Sequence, residues 1–341
     1  MPITARVLAD SIAPCGARLT TMEWKYPRSI HSEIMTHRIT SKNSASSRAI
    51  PVEKLIAQVV DEPYIPQYIG KKQSGMQAGD ELTGENREAA VASWLRARDN
   101  AVTEARVMVA CHAPKEIVNR LLEPWMWITI IISSTEWSNL YGLRNHTQAE
   151  RHFQHLAREA IAAMEASTPN VLPAGHWHLP LIGVDSADVE VLDALAAADQ
   201  LKYPDDFIKI SVGRVARVSY LTHDGKRDVM EDIKLHDKMA VQVPLHASPA
   251  EHIAQAMDYP QWWKDETHFA TPLRRVYNTC EWPGTIRQWI DIEGKLRSDG
   301  MSMGGHTALS AMLRGMQSGN FYGFSQYRKQ LKTEHIGGYM P

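Results

Sequence analysis

The densest cluster of polar side chains in the sequence lies between His37 and Arg48. Besides the imidazole of His37, these twelve residues carry the guanidinium groups of Arg38 and Arg48 and five small hydroxyl groups. Guanidinium forks and serine hydroxyls are natural donors to phosphate, and arginine planes also stack on flat rings. Because no Walker A or GxGxxG pattern occurs, this run is the first candidate for a phosphate-binding segment. The alternative interpretation is a solvated serine-rich loop.

Composition limits the class of protein that could use such a segment. The 341 residues carry 37 Lys and Arg against 39 Asp and Glu, a net charge of -2. Near-neutral charge excludes a strongly basic nucleic-acid-binding protein. The longest apolar stretch, Met126 to Ile132, is far shorter than the roughly 20 residues of a membrane helix. No signal-peptide pattern opens the chain, so we expect a cytoplasmic protein without a nucleic-acid or membrane partner.

Cysteine and histidine spacing predicts no metal site. The three cysteines are widely separated and form no CxxC pair, which indicates neither a disulfide framework nor a thiolate site. His176-Trp177-His178 would place two imidazoles on one face of a strand, but no third ligand has the spacing of a zinc site. We therefore favour a structural loop there. His152 and His155, one helical turn apart, are expected to be packing or surface residues.

Apolar periodicity predicts the elements that must position the polar run. From Asn86 to His112 apolar residues recur at steps of three and four, which is typical of an amphipathic helix. Pro114 then opens a second short helix that ends near Pro124. A long helix is expected from Ala149 to Ala166. The β-branched apolar segment Ile128 to Ile132 favours a buried strand or extended segment.

Shorter segments give less regular signals. Ser133 followed by Glu136 is typical of a capping box and predicts the start of a helix. Phe207 to Tyr220 is predicted to be extended and to end at the turn signal Asp224-Gly225. Ser248-Pro249-Ala250-Glu251 is typical of a helix start with an N-cap and a proline at the first position. The pair Trp262-Trp263 is expected to lie in the core or to anchor an interface.

Four parts of the sequence resemble the boxes of the flavin-dependent thymidylate synthase family. Thr36 to Ala49, which reads THRITSKNSASSRA, is similar to the family signature RHRxxSxNExSxRY. Pro114 to Arg120 is similar to a helix that ends in a phosphate-binding arginine. Asn139 to Arg144 is similar to the segment whose asparagine holds the adenine end of the flavin. Ala216 to Tyr220 and His246 to His252 resemble the ARVS(Y/F) and HETPFEH boxes. Agreement of four parts is more specific than any one of them.

The boxes stand in an unusual order, which implies a circular permutation of the family's α+β fold. In the family the ARVS and HETPFEH boxes come first and lead through a strand into the RHR run, whereas here they follow that run by about 180 residues. If the chain is permuted, residues near Ile253 must lie beside Leu19 to Trp24.

This interpretation divides the chain into four parts. Residues 1–166 form the first part of the permuted synthase core, with the nucleotide and flavin site. Residues 167–206 are a proline-rich connector with a short alanine-rich helix near Leu192 to Ala198, and residues 207–258 are the second part of the core, with the last two boxes. Residues 259–341 are a C-terminal extension of unknown role, which could cover the site, extend the sheet through Asn320 to Tyr327, or build an interface.

The resemblance also implies a role for each matching residue. His37 and Arg38 would bind the flavin, with Asn139 at its adenine end and Ser219 and Ser248 near the cofactor.

Other residues would hold the nucleotide. Ser46, Ser47, Arg48 and Arg120 would bind its phosphate, a role that the donor chemistry of arginine and serine supports independently. Arg144 would face the carbonyl edge of the pyrimidine and polarise the ring as charge develops.

The departures from the family pattern lie near the ring and the flavin. Thr36 replaces the first arginine of RHR, Ser44 replaces the glutamate of NExS, and Ala49 replaces the tyrosine. Glu33 stands where the family usually has a glutamine, and we include it among the substrate-binding residues. His246 is kept, at the position of a family histidine near the flavin and folate site, and we count it with Arg144 as catalytic.

The resemblance implies FAD-dependent C5 methylation of dUMP to dTMP by a homotetramer, with methylenetetrahydrofolate as carbon donor and NADPH as reductant. An alternative is a flavin- and folate-dependent C5 hydroxymethylase or methylase of dUMP or dCMP that makes a modified DNA precursor. Glu33 motivates this alternative because a carboxylate accepts from a cytosine amino group, whereas Arg144 suits carbonyl oxygens. A second alternative is a non-catalytic nucleotide- or flavin-binding homologue. Pro14-Cys15 resembles the Pro-Cys nucleophile of cysteine-dependent thymidylate synthases, but no other feature of that class is present.

Overall fold

The structure is a computed structural model. It describes residues 2–75, 79–220, 228–240, 246–257 and 319–331. The predictions for Asp224-Gly225 and Trp262-Trp263 lie outside these residues.

A five-stranded sheet forms the centre of the described fold. Its strands are β1 (Thr4–Ile12), β2 (Arg18–Pro27), β3 (Ser41–Ser44), β4 (Trp127–Ser134) and β5 (Asn170–Val171), in the order β3-β4-β2-β1-β5. All neighbours are antiparallel except the parallel pair β1 and β5. The predicted buried strand is confirmed, because every residue of β4 is buried.

Helices surround this sheet, and the chain is therefore a mixed α+β protein. They are α1 (His31–Met35), α2 (Val52–Asp61), α3 (Gly84–Ala110), α4 (Lys115–Val118), α5 (Ser138–Arg144), α6 (Arg151–Glu165), α7 (Ser186–Ala197), α8 (Asp205–Arg217), α9 (Val229–Ala240) and α10 (Tyr327–Gln330). The structure confirms the three helices predicted from periodicity, since α3, α4 and α6 correspond to them. Short 3-10 turns occupy Arg28–Ile30, Asn119–Trp125, Val218–Tyr220 and Ser248–His252.

Strand β4 separates two apolar cores. Side chains alternate between the faces of a strand. Ile130 and Ile132 accordingly pack with Phe153 of α6, whereas Ile131 packs with Val215 of α8. A strand covered on both faces needs a continuous apolar run, which is why its sequence shows no polar alternation.

The extended conformation predicted for Phe207 to Tyr220 is wrong. Residues Asp205–Arg217 form helix α8, and a 3-10 turn follows. The β-branched residues that suggested a strand also recur at helical steps: Ile208, Val212 and Val215 all pack in the same core. Residues 210–218 are buried without interruption, so tertiary packing overrides their β preference.

A glycine allows α8 to pack closely on α9. A Cβ placed at Gly213 would collide with the backbone carbonyl oxygen of Asp232. Because only glycine lacks this atom, the two helix backbones come together at Gly213.

Two predicted caps also differ from the structure. Ser133 lies inside β4, and it is the Ser134 hydroxyl that accepts from the backbone N–H of Glu136 at 3.0 Å. The Glu136 carboxylate then accepts from the N–H of Ser138 at 2.8 Å, at the start of α5. The predicted helix start at residues 248–251 is a single 3-10 turn without a side-chain cap. The helix predicted through Leu140 is nevertheless present as α5, whereas the capping pattern at residues 248–251 is not followed by a helix.

The predicted connector is fastened to the core by buried charges. Helix α7 confirms its predicted alanine-rich helix and carries Asp188, which binds Arg214 of α8 in a bidentate ion pair at 2.7 and 2.8 Å. Arg214 also donates to Asp232 of α9 at 3.1 Å, and Asp232 accepts from Arg217 at 2.5 Å. We call these four residues the Asp188–Arg214 network. They join three helices in a space from which water is nearly excluded.

A second sheet has three strands, β6 (Trp177–His178), β7 (Ala254–Ala256) and β8 (Phe324–Gln326), with β7 in the middle. The described part of the C-terminal extension thus extends this sheet, one of its three expected roles. Ala254 and Ala256 of β7 share an apolar cluster with Leu19 of β2. The adjacency that a permutation requires is therefore present, while the permutation itself stays a prediction. Within the described ranges, every helix is too short or too polar to cross a bilayer.

Candidate functional site

A cavity of about 700 Å³ lies beside the polar run. We call it the motif cavity. Its lining residues are Lys42, Asn43, Ser44, Ser46, Arg48, Ala49, Lys115, Glu116, Ser219, His246 and Ser248. The fold thereby gathers Ser46 and Arg48, predicted to bind phosphate, with Ser219, His246 and Ser248 from the two boxes that lie far along the chain. Two of the positions that depart from the family, Ser44 and Ala49, also lie in the wall.

Asn43 ties the three segments of this wall together. Its side-chain amide donates to the carbonyl oxygen of Val215 at 2.8 Å, and its oxygen accepts from the Ser248 hydroxyl at 3.2 Å. The backbone N–H of Ser46 donates to the carbonyl oxygen of Ser219 at 3.2 Å. Strand β3 is therefore fixed to the end of α8 and to the 3-10 turn of the last box.

Asn119 holds the loop that follows β3. This buried residue donates to the carbonyl oxygens of Ser47 at 2.6 Å and Ile50 at 3.0 Å. The Lys115 ammonium donates to the carbonyl oxygen of Ala49 at 3.3 Å. Buried backbone groups need such partners, so these bonds determine where the loop presents the Arg48 side chain.

The wall of the motif cavity is positively charged. It carries Lys42, Arg48 and Lys115 against the single carboxylate of Glu116. Burial lowers the pKa of Lys42 to about 8, although the nearby Glu251 carboxylate opposes the shift. Lys42 remains mostly protonated at neutral pH. Ammonium, guanidinium and hydroxyl donors on one wall suit an anionic phosphate.

A second group of predicted residues surrounds Arg144. The Arg144 guanidinium donates through Nε to Nε2 of His37 at 2.9 Å and through Nη1 to the Glu33 carboxylate at 3.0 Å. Its Cζ lies 4.5 Å from the centroid of the Phe153 ring, within range of a cation–π contact. We call Glu33, His37, Arg144 and Phe153 the Arg144 cluster. Three residues predicted for substrate or flavin thus bind one another.

His37 is held neutral in this cluster. Its Nε2 accepts from Arg144, so the ring proton resides on Nδ1. Burial, followed by the charges of Arg144 and Lys42, lowers the pKa of His37 to about 4. Lys42 also donates to the His37 carbonyl oxygen. Because Lys42 lines the motif cavity as well, it connects the two groups of residues.

The fold does not bring every predicted residue to these two places. Arg120 lines a different cavity of about 480 Å³, together with Arg28, Ser29, His31, Ser32, Glu123 and Pro124. Ser47 turns its hydroxyl to Glu123 at 3.4 Å and is absent from the lining of the motif cavity. Arg38 and Asn139 are exposed. Within one chain, therefore, the predicted phosphate donors are divided between two cavities.

Several side chains of the motif cavity and the Arg144 cluster had no role predicted from the sequence. Lys42 and Asn43 stand inside the polar run, and Lys115 follows the proline that opens α4. A search for cations at helix starts near the run could have found Lys115. Phe153 gave no such signal, because its contact with Arg144 depends on how α6 packs beside α5.

The other described histidines differ in their surroundings: His152, His178 and His252 are buried, whereas His112, His146 and His176 are exposed. The structure confirms packing for His152. Its Nε2 lies 2.9 Å from the Tyr64 hydroxyl, and its Nδ1 lies 2.6 Å from the Glu150 carboxylate. The structural loop predicted at residues 176–178 is wrong, because Trp177 and His178 form β6. No group of three or more His, Cys, Asp or Glu side chains suited to a metal occurs among the described residues.

Comparisons with known proteins give only distant likenesses. No protein-family model matches the sequence, and no curated protein matches it. The fold is similar to two solved structures of the UMP/dUMP methylase PolB from Streptomyces cacaoi. The structure with 5-Br dUMP is 14% identical with a TM-score of 0.38, covering 48% of this chain and 90% of that chain. The structure with 5-Br UMP is 16% identical with a TM-score of 0.40, covering 48% of this chain and 88% of that chain.

Proposed function

We propose that this chain is a flavin-dependent enzyme that methylates C5 of dUMP, built as a circularly permuted relative of the flavin-dependent thymidylate synthases. One observation carries the proposal: the motif cavity gathers the signature run, the ARVS box and the HASPAEH box from three distant parts of the sequence. The family resemblance adds methylenetetrahydrofolate as carbon donor, NADPH as reductant and a homotetramer.

The donor set fits a phosphate-bearing cofactor or substrate. The positive wall with its serine hydroxyls suits the phosphate of dUMP or the diphosphate of FAD. Of the proposed flavin ligands, Ser219 and Ser248 would act from this wall, His37 from the Arg144 cluster, and the exposed Arg38 and Asn139 from the surface. When bound, reduced FAD supplies the hydride that a methyl product requires.

The chain's own residues would then bind and polarise the nucleotide. Arg48, Ser46 and Lys115 would hold the phosphate, while Arg144 would face the base. Glu33 and His37 orient the Arg144 guanidinium, and within the described ranges its Nη2 makes no hydrogen bond. A fixed cationic donor placed at a carbonyl oxygen stabilises negative charge that develops there. His246 lies in the wall, where it would meet the carbon donor.

The Glu33–Arg144 pair supports the alternative substrate. In the part of the chain that the structure describes, Glu33 Oε1 accepts no hydrogen bond. The pair therefore offers a free acceptor on Glu33 together with a free donor on Arg144. This arrangement matches N3–H and O4 of uracil, and it equally matches the amino group and N3 of cytosine. A C5 hydroxymethylase or methylase of dUMP or dCMP therefore remains the second candidate. A non-catalytic nucleotide- or flavin-binding homologue is the third, motivated by Thr36 and Ser44.

Flavin spectroscopy and product mass test these candidates on the purified full-length protein. The proposal expects a yellow flavin spectrum, oxidation of the reduced flavin that depends on dUMP, and a product with the mass of dTMP. A product carrying an added hydroxyl, or turnover of dCMP, would establish the alternative. Absence of both the flavin spectrum and dUMP-dependent oxidation would refute the proposal that this chain is a flavin-dependent enzyme. Binding without turnover would indicate the third candidate, for which Thr36→Arg with Ser44→Glu is the variant to assay.

A further inference from the structure

A chain of hydrogen bonds crosses the buried interface between the two sheets. The Ser11 hydroxyl lies 2.9 Å from Nδ1 of His178, and Nε2 of that ring lies 2.8 Å from the Thr21 hydroxyl. Thr21 lies 2.6 Å from the Ser133 hydroxyl, which lies 2.8 Å from Nδ1 of His252. All five residues are buried. We call this series the buried chain.

When each inner group of the buried chain accepts one hydrogen bond and donates one, all four links point the same way. If Ser11 donates to His178, then His178 donates to Thr21, Thr21 to Ser133, and Ser133 to Nδ1 of His252. In the reverse order His252 would donate through Nδ1, and Ser11 would accept at the other end. The tautomers of the two histidines are therefore coupled.

Ser11 determines the direction. Its hydroxyl makes no other hydrogen bond in the described part of the chain, so it has an acceptor for its hydrogen only if it donates to His178. The reverse direction would leave both the Ser11 hydrogen and a lone pair of His252 without partners, which burial penalises. The favoured direction leaves one group unpaired, the Nε2–H of His252. This nitrogen is buried and unpartnered in the structure.

Both rings are neutral at physiological pH. Burial lowers the pKa of His178 to about 3, although the Asp10 carboxylate opposes this shift. Burial also lowers the pKa of His252 to about 3, with smaller effects from His178 and from Lys42 of the motif cavity. The distribution of protons along the chain is thus a choice between tautomers and involves no net charge.

We propose that Ser11 is a positioning residue that acts through His178, Thr21 and Ser133 to hold His252 as its Nε2–H tautomer, and so keeps a buried donor ready for an acceptor atom of a bound ligand. His252 ends the same 3-10 turn in which Ser248 lines the motif cavity. The ligand part of the inference rests on the proposed function. The tautomer part depends only on the buried chain.

Nitrogen-15 NMR of histidine-labelled full-length protein tests the tautomer. We expect Nε2 of His252 to give a pyrrole-type shift in the wild type. Ser11→Ala removes the hydrogen that sets the direction and should produce mixed tautomers, and Ser11→Thr, which keeps the hydroxyl, should restore the preference. His178→Leu should keep the Nε2–H tautomer, because Thr21 then ends the chain and its hydrogen has an acceptor only in Ser133. Thr4→Ala, at an exposed position in the same strand as Ser11, is the matched control and should change nothing. A pyridine-type Nε2 in the wild type, or an unchanged His252 in Ser11→Ala, overturns the proposal.

Calorimetric titration with FAD and with dUMP tests the ligand part. One of the two should bind about twofold more weakly to Ser11→Ala than to the wild type, because with mixed tautomers about half of the molecules lack the donor. Ser11→Thr should recover the affinity. Unchanged affinity for both ligands would overturn the ligand part. If the wild type binds neither, the proposed function fails, while the NMR experiment still decides the role of Ser11.

Discussion

At the scale of single residues, the structure changes the role of Arg144 more than that of any other predicted residue. Sequence alone suggested a guanidinium that faces the base, whereas in the fold two of its nitrogens bind His37 and Glu33. Such bonds fix the plane of the guanidinium and leave one edge open. Arg144 is therefore a donor oriented in advance, and its neighbours share in any effect of changing it.

Removal of the Arg144 charge should raise the pKa of His37. In the wild type burial lowers this pKa to about 4, with further effects from Arg144 and Lys42. Arg144→Met removes one of these cations and frees the Glu33 carboxylate, so the imidazolium becomes easier to form, although burial still disfavours it. Proton NMR titration of His37 measures the shift. Arg38→Met, next to His37 but exposed, is the control. An unchanged pKa would show that the Arg144 charge does not act on the ring.

Arg48 should contribute to nucleotide binding and little to folding. Its side chain is exposed in the wall of the motif cavity, and no described residue forms a hydrogen bond or ion pair with it. A hydrogen bond to a charged group contributes about 1.5–3 kcal/mol, so Arg48→Ala should weaken dUMP binding by roughly 10- to 150-fold. Calorimetric titration measures this loss. Thermal unfolding should be unchanged, as it should be for the control Arg96→Ala on the exposed side of α3. Equal dUMP affinity in the two variants would remove Arg48 from the site.

At the scale of elements, sequence patterns succeeded where a segment has one consistent period. Residues of α3 and α6 follow the helical repeat, and β4 contains the continuous apolar run Ile130 to Ile132, so local chemistry was sufficient. Helix α8 was not predicted because its β-branched residues fit both periods. The decisive contacts lie elsewhere in the chain, with the α9 backbone at Gly213 and with Asp188 of α7 at Arg214. No window of sequence around α8 contains those partners.

The Asp188–Arg214 network should be a major stabilising contact between α7 and α8. Removal of one member of a buried ion pair costs about 3–5 kcal/mol, because the other charge stays buried without compensation. Asp188→Asn should therefore lower the free energy of unfolding by an amount of this order. Urea denaturation followed by circular dichroism measures the change. Asp193→Asn, exposed on the same helix, is the control, and an equally small effect of both substitutions would contradict the argument.

The same carboxylate should make stability depend on pH. Burial acts to raise the pKa of Asp188, but its hydrogen bonds and the Arg214 charge outweigh burial, so the pKa in the folded state lies below its ordinary value. A carboxyl of this kind stabilises the fold fully above its unfolded pKa of about 3.9. The contribution is lost as the pH falls through the folded pKa. Unfolding midpoints measured between neutral and acid pH should fall less steeply for Asp188→Asn than for the wild type.

At the scale of the whole molecule, the family boxes indicated which residues belong together, but not how one chain distributes them. Ser46, Arg48, Ser219, His246 and Ser248 all line the motif cavity. Arg120 does not, because α4 and the 3-10 turn after it place that residue beside Arg28. Sequence similarity predicts the chemistry of a residue, but it does not predict which cavity of the subunit that residue lines. The division between two cavities is what a site shared between subunits would require.

Mixed oligomers can therefore test whether Arg48 of one subunit acts with Arg120 of another. The proposed homotetramer predicts that Arg48→Ala and Arg120→Ala are each nearly inactive at a low dUMP concentration, yet that co-expression restores activity. With random assembly, about a quarter of shared sites combine an intact Arg48 from one chain with an intact Arg120 from its neighbour, which sets the expected recovery relative to the wild type. The double variant Arg48→Ala/Arg120→Ala, co-expressed with either single variant, is the control, because no shared site can then be complete. If both arginines served one site within one chain, every site in the mixture would lack one of them and activity would not return. Light scattering on the same samples gives the number of subunits, and a monomer would exclude the shared site directly.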